Sequence, residues 1–329
     1  MGQPPAKLVG TFSSIAASEP AMARPGQSPL ERIGNTPILR FDKLTSHLPQ
    51  VTLLGKAEWH NPGGSVKDRA AASIVAAGRR SGRFGPKKIL LDATSGNTGI
   101  AYAMLGAAEG FPVTLCMPTN VSVERKQILG AYGANIIYTD PGEGSDGAIR
   151  MARELAATNP DLYFYADQYS NENNWLAHYH GTANEIWQQT EGQITHFVAM
   201  LGTSGTFMGT TRRLKELNPT IQCVSLQPDS AFHGIEGAKH MASALVPKIY
   251  DATLADGNIE IATEDAHRMA RRIARECGLL LGISAAAGVF ASLKRAERLQ
   301  LRRGEQAVMV TILCDSGDKY LSERFWTEK

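Results

Sequence analysis

The sequence predicts an α/β fold with open, twisted, mostly parallel sheets arranged in two lobes. Short apolar runs alternate with helical patterns of about 10–15 residues, which is typical of parallel strands joined by crossover helices. The alternation occurs in two series, and 329 residues are enough for two domains that share a cleft. With a formal charge of +2, neither nucleic acid nor a membrane surface is expected as a partner.

The first series runs through the N-terminal half of the chain. VTLLGKAEW predicts a strand at 51–59, and the pattern after it predicts a helix at 66–81. The alternation continues with strand KKILLDA, helix 97–109, strand PVTLCMP, helix 121–132, strand ANIIYTD and helix 145–156.

The second series follows a polar, aromatic stretch at 159–174, which we interpret as the seam between the lobes. It consists of strand 195–201, helix 206–217, strand IQCVSLQ, helix 264–276, strand LLLGI, helix 285–299 and strand QAVMVTIL.

These series divide the chain into two predicted domains. The smaller domain covers 43–170, and the larger domain combines 29–42 with 171–329. Residues 1–28 are rich in Pro, Gly, Ser and Ala and are expected to form a flexible leader. Met22 is an alternative start, so the residues before it need not belong to the native protein.

The cysteines and the hydropathy point to a reduced compartment. The four cysteines are far apart and form no CxxC pair, so free thiols are expected rather than disulfides or a zinc site. No other metal site is predicted. The longest uncharged stretches fall short of the roughly 20 apolar residues that a membrane span needs. The leader also lacks an apolar core for export, so we expect a cytoplasmic protein.

Ligands of open α/β sheets bind beyond the carboxyl ends of the strands, so the loops that follow strands are the candidate site. The first is NPGGSVKDR, a turn in which Ser65 can cap a helix beginning at Val66. Lys67 then lies in the first helical turn, where the helix dipole disfavours positive charge. Such a lysine can have a lowered pKa and form a Schiff base. A surface lysine packed on its helix is the ordinary alternative.

The second and third loops place glycine and hydroxyl residues at the start of a helix. One would form an anion pocket of backbone N–H and hydroxyl groups sized for a small carboxylate, with the residues Thr94, Ser95, Gly96, Asn97 and Thr98. The other would form a cup for a phosphate monoester, with the residues Gly202, Thr203, Ser204, Gly205 and Thr206. Plain N-capping and a tight β–α turn are the respective alternatives.

Three weaker signals need weighing. Ser284 opens a helix after LLLGI and is either a plain N-cap or a site residue. PGEGSDG matches the dinucleotide motif GxGxxG, but Glu143 and Asp146 would lie against a pyrophosphate, so this interpretation is disfavoured. His178 and His180 are interpreted as structural, because positions two apart diverge on a helix.

Together and in this order, the motifs resemble those of the cysteine synthase family of pyridoxal-phosphate-dependent enzymes. The resemblance covers 30–325, running from IGNTPILR through NPGGSVKDR, TSGNTG, SVERKQILGAYGA, GTSGTFMGT and GIS to CDSGDKYLS. It implies the fold type II architecture, similar to the tryptophan synthase β subunit, with pyridoxal 5′-phosphate between the lobes.

The resemblance also implies roles for the candidate residues. Lys67 would hold the cofactor as a Schiff base and serve as general base. The loop 202–206 would bind the phosphate, Asn97 would bond the ring hydroxyl, and Ser284 would meet the pyridine nitrogen. The α-carboxylate of the substrate would be bound by Thr94, Ser95, Gly96, Thr98 and Gln168. A cysteine stands at the position of Cys314 in some relatives.

The implied reaction is a β-replacement that forms L-cysteine from an O-activated L-serine and a sulfur donor through an aminoacrylate intermediate. A serine at the pyridine nitrogen does not keep it protonated, so loss of the β-leaving group is favoured over transamination. O-acetylserine is preferred over O-phosphoserine, because FHGIEGAKH offers only Lys239, with His233 and His240, as a cation for phosphate.

Several alternatives stay open at this stage. The sulfur donor can be sulfide, thiosulfate or a carrier-protein thiocarboxylate. Other nucleophiles would make a 2,3-diaminopropionate synthase or a cystathionine β-synthase. A nicotinamide-dependent oxidoreductase and a non-catalytic scaffold are alternatives of other classes. The resemblance implies a homodimer, with serine acetyltransferase or a sulfur-carrier protein as candidate partners.

Overall fold

The computed structural model describes residues 26–94 and 96–327, and it confirms the predicted α/β fold. The strands are β1 (Ile38–Arg40), β2 (Val51–Ala57), β3 (Ile89–Ala93), β4 (Val113–Pro118), β5 (Asn135–Thr139), β6 (Tyr163–Tyr165), β7 (His196–Met200), β8 (Gln222–Pro228), β9 (Gly257–Ile261) and β10 (Ala307–Leu313). The α-helices are α1 (Asp42–Thr45), α2 (Lys67–Arg80), α3 (Asn97–Glu109), α4 (Val123–Ala131), α5 (Gly144–Thr158), α6 (Glu172–Ala177), α7 (Ala183–Gln189), α8 (Gly205–Leu217), α9 (Thr263–Cys277) and α10 (Ile283–Ala296).

The larger sheet has six strands in the order β1-β2-β10-β7-β8-β9. Only β1 runs antiparallel, against β2, and the other neighbours are parallel. The strand β10 lies between β2 and β7, and all but one of its side chains are buried. Such apolar strands are typical of parallel sheets covered by helices on both faces.

The smaller sheet has four parallel strands in the order β5-β4-β3-β6. Its strand β4 is buried along its whole length. The edge strand β6 lies in the aromatic stretch that the sequence analysis assigned to the seam. The smaller sheet therefore ends at Tyr165, and the chain crosses to the larger lobe after that residue.

Two local predictions are wrong. The smaller domain was expected to begin at residue 43, but β2 pairs with β1 and β10 and so belongs to the larger sheet. A local pattern predicts a strand without revealing its partners. LLLGI is not a strand, because only Leu281 forms a bridge, to Ser316, and α10 already begins at Ile283. Leu281 and Ile283 are buried and account for part of this apolar run, whereas Leu280 is exposed.

The helices otherwise start and end within a few residues of the predictions, and α3 has the predicted bounds of 97–109. The N-termini of α2, α3, α8 and α10 converge on the space between the two sheets. In the part of the chain described above, no helix combines the length and the apolar character needed to span a bilayer.

Candidate active site

The loops that the sequence analysis singled out meet in one cavity between the sheets. Most of the predicted site residues line it, namely Lys67, Asn97, Thr98, Gln168, Gly202, Thr203, Thr206 and Ser284. Thr94 and Gly96 lie in the same loop as Asn97, while Ser204 and Gly205 shape the loop between Thr203 and Thr206. Ser95 lies outside the described residues. The cavity also contains Arg125 and Glu236, which the sequence analysis did not select.

Lys67 is half-buried at the first position of α2, next to the end of β10. The preceding Val66 donates its N–H to the carbonyl of Cys314 at 2.9 Å, and Ser65 forms a bridge with Asp315. Burial raises the pKa of the Cys314 thiol to about 11, although the positive charge of Lys67 acts in the opposite direction. The lysine and a protonated thiol thus share one wall of the cavity.

A buried ion-pair network supports the helix that carries Lys67. Arg69, two residues further on, binds Glu58 with Nε at 2.7 Å and Glu185 with Nη1 at 2.6 Å. Lys56 binds the same Glu185 at 2.7 Å. Burial would raise the pKa of Glu185, but its hydrogen bonds and charge contacts with Arg69 and Lys56 outweigh burial and lower it to about 2. The network fixes α2 against β2 and α7.

The loop before α3 is organised by its own hydroxyl groups. The Oγ1 of Thr94 accepts the N–H groups of Gly96 and Gly99, both at 3.1 Å. Thr98 donates its hydroxyl to Gln168 Oε1 at 2.7 Å. The predicted pair Thr98 and Gln168 therefore meets in space, while Thr94 shapes the loop from within.

Asp92, at the end of β3, joins this loop to the segment that carries Gln168. Its carboxylate accepts the N–H of Ala93 at 2.8 Å and the N–H of Gln168 at 3.2 Å. Burial raises the pKa of Asp92 to about 8. Asp92 was not among the predicted site residues, although an acid at the last positions of a buried strand is itself a signal.

The glycine-rich loop before α8 is tightly constrained. Ser204 adopts φ +67° at the N-cap of α8. A Cβ at Gly202 would clash with the backbone carbonyl oxygen of Gly237, and one at Gly205 would clash with the buried side-chain amide of Asn174. Asn174 also donates to the Oγ1 of Thr203 at 3.0 Å. A side chain at 202 would therefore displace backbone, and one at 205 would displace the amide that holds Thr203.

His178 is buried, as predicted for a structural histidine, but it also contacts the glycine-rich loop. Its Nε2 lies 3.3 Å from Thr206 Oγ1, and its Nδ1 lies 2.9 Å from Thr182 Oγ1. Burial lowers the pKa of His178 well below its ordinary value. The neutral ring therefore orients the hydroxyl of Thr206.

The remaining wall is formed by Ser284 and Asn97. Ser284 lies in the first turn of α10, is 9% exposed and hydrogen bonds with Cys314. Asn97 hydrogen bonds with Asp315 at 2.7 Å and with Lys319 at 3.1 Å. The sequence analysis used SVERK and CDSGDKY only to establish the resemblance, and it did not assign their charged residues to the site.

Two further cations near the cavity, Arg125 and Lys239, are paired with carboxylates. Arg125 is buried and forms an ion pair with Glu236. Lys239, which the sequence analysis weighed as a phosphate ligand, binds Asp146 at 2.8 Å and Ser145 at 3.2 Å. Asp146 comes from the GxGxxG-like turn, where it belongs to this ion pair.

Comparison with known proteins gives consistent results. A family model described as pyridoxal-phosphate dependent enzyme matches residues 30–315. A cysteine synthase from Aquifex aeolicus is 49% identical over 302 residues, covering 91% of this chain and 92% of that protein. Cysteine synthase B from Pseudomonas aeruginosa is 44% identical over 290 residues, covering 88% and 94%. A solved cysteine synthase structure from Entamoeba histolytica has a TM-score of 0.86 at 36% identity, covering 96% of this chain and 95% of that one.

Proposed function

We propose that this chain, which belongs to the family of pyridoxal-phosphate-dependent enzymes, forms L-cysteine by β-replacement on an O-activated L-serine. The observation that carries the proposal is that Lys67, Ser284 and the pair Thr98 and Gln168 line one cavity together with three residues of the glycine-rich loop, Gly202, Thr203 and Thr206. A lysine, an anion cup and a second anion pocket are what a phosphorylated carbonyl cofactor and an amino-acid substrate require together.

The residues present fit the cofactor. Ser204 is buried, and within the described residues its Oγ has no hydrogen-bond partner. A buried polar atom of this kind is costly unless a ligand satisfies it. Together with the first N–H groups of α8, which have no partners inside the helix, this hydroxyl makes the loop suitable for a phosphate ester.

The predicted site residues would then share the work. When bound, pyridoxal 5′-phosphate supplies an electron sink that acidifies the substrate Cα–H and allows the β-substituent to leave. Lys67 Nζ would attach the cofactor carbonyl, and the same amine would serve as the base for the α-proton. Ser284 would hold the pyridine nitrogen, and Asn97 would hold the ring oxygen. The loop 94–98 and Gln168 bind the α-carboxylate and exclude water.

Acetate is the leaving group that the charges favour. A phosphoserine would bring a second dianionic group into the cavity, and its recognition would require a cation. Arg125 and Lys239 are both engaged with carboxylates, Glu236 and Asp146, so each would have to exchange its partner. The loss of acetate makes no such demand, which supports O-acetylserine as the donor.

Spectral titration of the purified protein tests the proposal. Addition of O-acetylserine should change the visible spectrum of the bound cofactor, and sulfide should restore the original spectrum while L-cysteine accumulates. A matched titration with O-phosphoserine should give a slower change or none. A protein that binds no cofactor, or that responds to neither serine ester, would refute the assignment.

The assembly and the compartment are also proposed from the resemblance. We expect a cytoplasmic homodimer, with serine acetyltransferase or a sulfur-carrier protein as candidate partners. Sedimentation equilibrium of the purified protein tests the dimer, and a mass equal to one chain of 35.5 kDa would contradict it.

A further inference from the structure

We infer that Lys319 and Asp315 are positioning residues that fix the side-chain amide of Asn97, so that it offers an N–H group to the cavity. The inference rests on the proposed cofactor but concerns residues to which the proposed function assigns no role. It depends on the opposite hydrogen-bonding character of the two partners.

Lys319 identifies the oxygen of the Asn97 amide. Its ammonium group has three N–H donors and no acceptor, and the side chain is only 5% exposed. The Nζ atom lies 3.1 Å from Asn97 Oδ1, 2.9 Å from the carbonyl oxygen of Gly64 and 3.3 Å from that of Gly63. The three donors thus have three acceptors, and the Asn97 atom in this set has to be an oxygen.

Asp315 identifies the nitrogen of the same amide. Its buried carboxylate accepts the Nδ2–H of Asn97 at 2.7 Å and the hydroxyl of Tyr320 at 2.8 Å. The hydroxyl of Tyr320 in turn accepts from Arg125 Nη2 at 2.6 Å, and this Nη2 lies 3.8 Å from Asp315. Asp315 Oδ2 thus receives a donor from each of Asn97 and Tyr320, and it is the acceptor toward the Asn97 amide.

Rotating the amide by 180° would break both contacts at once. The carbonyl oxygen of Asn97 would then face a carboxylate, and its NH₂ group would face an ammonium group. Two partners of opposite polarity therefore fix one orientation of the Asn97 amide, and they fix it more strongly than a single partner would.

The consequence for the cavity follows from counting hydrogen bonds. The amide has one oxygen with two lone pairs and two N–H groups. Lys319 occupies one lone pair and Asp315 occupies one N–H, while Asn97 still lines the cavity. One N–H and one lone pair remain, and the lone pair is on the atom that already faces the ammonium group. The second N–H is therefore the group that the amide offers to a ligand, and its complement is an oxygen acceptor. Lys319 and Asp315 would thus favour the ionised ring oxygen of the cofactor over the protonated one.

Lys319 also connects this amide to the turn that precedes the catalytic lysine. Gly64 adopts φ +75°, and a Cβ there would lie 3.2 Å from Lys319 Nζ. One buried cation therefore contacts both Asn97 and the NPGG turn, whose position determines where Lys67 enters α2.

The test uses cofactor binding and the absorption spectrum without substrate. Wild-type protein, Lys319→Met, Lys319→Arg and Asp318→Asn are reconstituted with pyridoxal 5′-phosphate over a range of pH. Lys319→Met removes the hydrogen bond from Lys319 Nζ to Asn97 Oδ1. Because the Asn97 amide can then rotate away from the ring oxygen, cofactor binding should weaken about tenfold. The fraction of cofactor with a protonated ring oxygen, which absorbs in the near ultraviolet, should rise in that variant.

The other variants separate positioning from packing. Lys319→Arg keeps an N–H donor and should retain most of the wild-type spectrum. Asp318→Asn removes an exposed neighbouring carboxylate and should change nothing. A wild-type spectrum and affinity in Lys319→Met would overturn the inference, as would a Lys319→Arg protein that behaves like Lys319→Met.

Asp315→Asn keeps the inference testable if Lys319→Met does not fold. It preserves the shape of the side chain but allows the Asn97 amide to rotate, so the spectrum should shift in the same direction. An unchanged spectrum would contradict the inference. Failure of the proposed function can be told apart from failure of this inference. A wild-type protein that binds the cofactor but makes no L-cysteine would contradict the proposed function and leave the inference about Lys319 and Asp315 intact.

Discussion

Ion pairs join the lobes in two regions, and the two differ in the exposure of their carboxylates. Behind Lys67, the carboxylates Glu58 and Glu185 are 0% and 13% exposed, and Arg69 binds both. Near the opening of the cavity, the buried cations Lys239 and Arg125 cross the cleft, and the carboxylates that they meet, Asp146 and Glu236, are each 23% exposed.

The difference indicates where the molecule can move. Separating a fully buried pair leaves an uncompensated charge and costs several kcal/mol, whereas a carboxylate that already reaches water can leave its cation at a lower cost. The region behind Lys67 should therefore act as the fixed side of the cleft. The opening, where α5 meets the segment that follows β8, should be the side that adjusts when substrate binds.

The most severe way to break the fixed side is to remove the lysine itself. Lys67→Ala should lower turnover by about a thousandfold or more, because both the attachment point and the base are lost. The protein should also lose the visible absorption of the attached cofactor. Lys294→Ala, at a half-exposed lysine in the last turn of α10, is the control and should keep wild-type kinetics. A Lys67→Ala protein with normal turnover would contradict the assignment.

Breaking the buried network should reduce stability more than any change at the opening. Arg69→Met leaves Glu58 and Glu185 without their arginine, and the free energy of unfolding should fall by about 3–5 kcal/mol. Denaturant unfolding measures this change. Arg268→Met removes an arginine whose side chain is 64% exposed and should change stability by less than about 0.5 kcal/mol. Equal effects of the two substitutions would remove the distinction between the regions.

The pH dependence of stability tests the charge buried beneath the substrate loop. The unfolded chain loses the Asp92 proton near its ordinary pKa of about 3.9, while the folded chain keeps it up to about pH 8. The folded state therefore binds more protons in this window, and stability should fall as pH rises from about 4 to 8.

Asp92→Asn should make that pH dependence shallower by up to about 1.4 kcal/mol per pH unit, the value for one proton. A residual slope is expected because burial also raises the pKa of Asp68, to about 7. Denaturant unfolding at several pH values measures the slope, with the exposed Asp161→Asn as the control. Parallel curves for the wild type and Asp92→Asn would show that Asp92 does not titrate in this range.

The smallest effect is expected at the opening. Asp146→Asn weakens the contact with Lys239, and it should change the free energy of unfolding by less than about 1 kcal/mol. Because the affected contact crosses the cleft, the KM for O-acetylserine should still rise by about two- to fivefold. Steady-state kinetics and unfolding of the same preparation test both parts. A loss of stability as large as that of Arg69→Met would mean that the opening is not the adjustable side.

Most helices and strands, and the loops that meet at the cavity, could be located from the sequence because they depend on local signals. The bounds of α3 follow from the glycine and hydroxyl residues that precede Asn97, and the loop at 202–206 follows from the glycines that its close contacts require. The pairing of Thr98 with Gln168 was accessible only through the resemblance, since 70 residues separate them.

What the sequence could not provide were contacts between distant charges. The local sequence of α4 is typical of a solvent-exposed helix. Arg125 is buried only because Glu236 and Tyr320, from other parts of the chain, contact it. The assignment of β2 to the larger sheet depends on β10, which follows some 250 residues later. Partners of this kind are fixed by tertiary packing, for which periodicity carries no signal.

The central place of β10 has a consequence for biosynthesis. The strands of the smaller sheet follow one another closely in the chain and can pair soon after they emerge from the ribosome. The larger sheet instead lacks its middle strand until residues 307–313 have been made, so β2 and β7 have no shared neighbour during most of translation. A nascent chain that stalls before this point exposes two unpaired strand edges to other proteins.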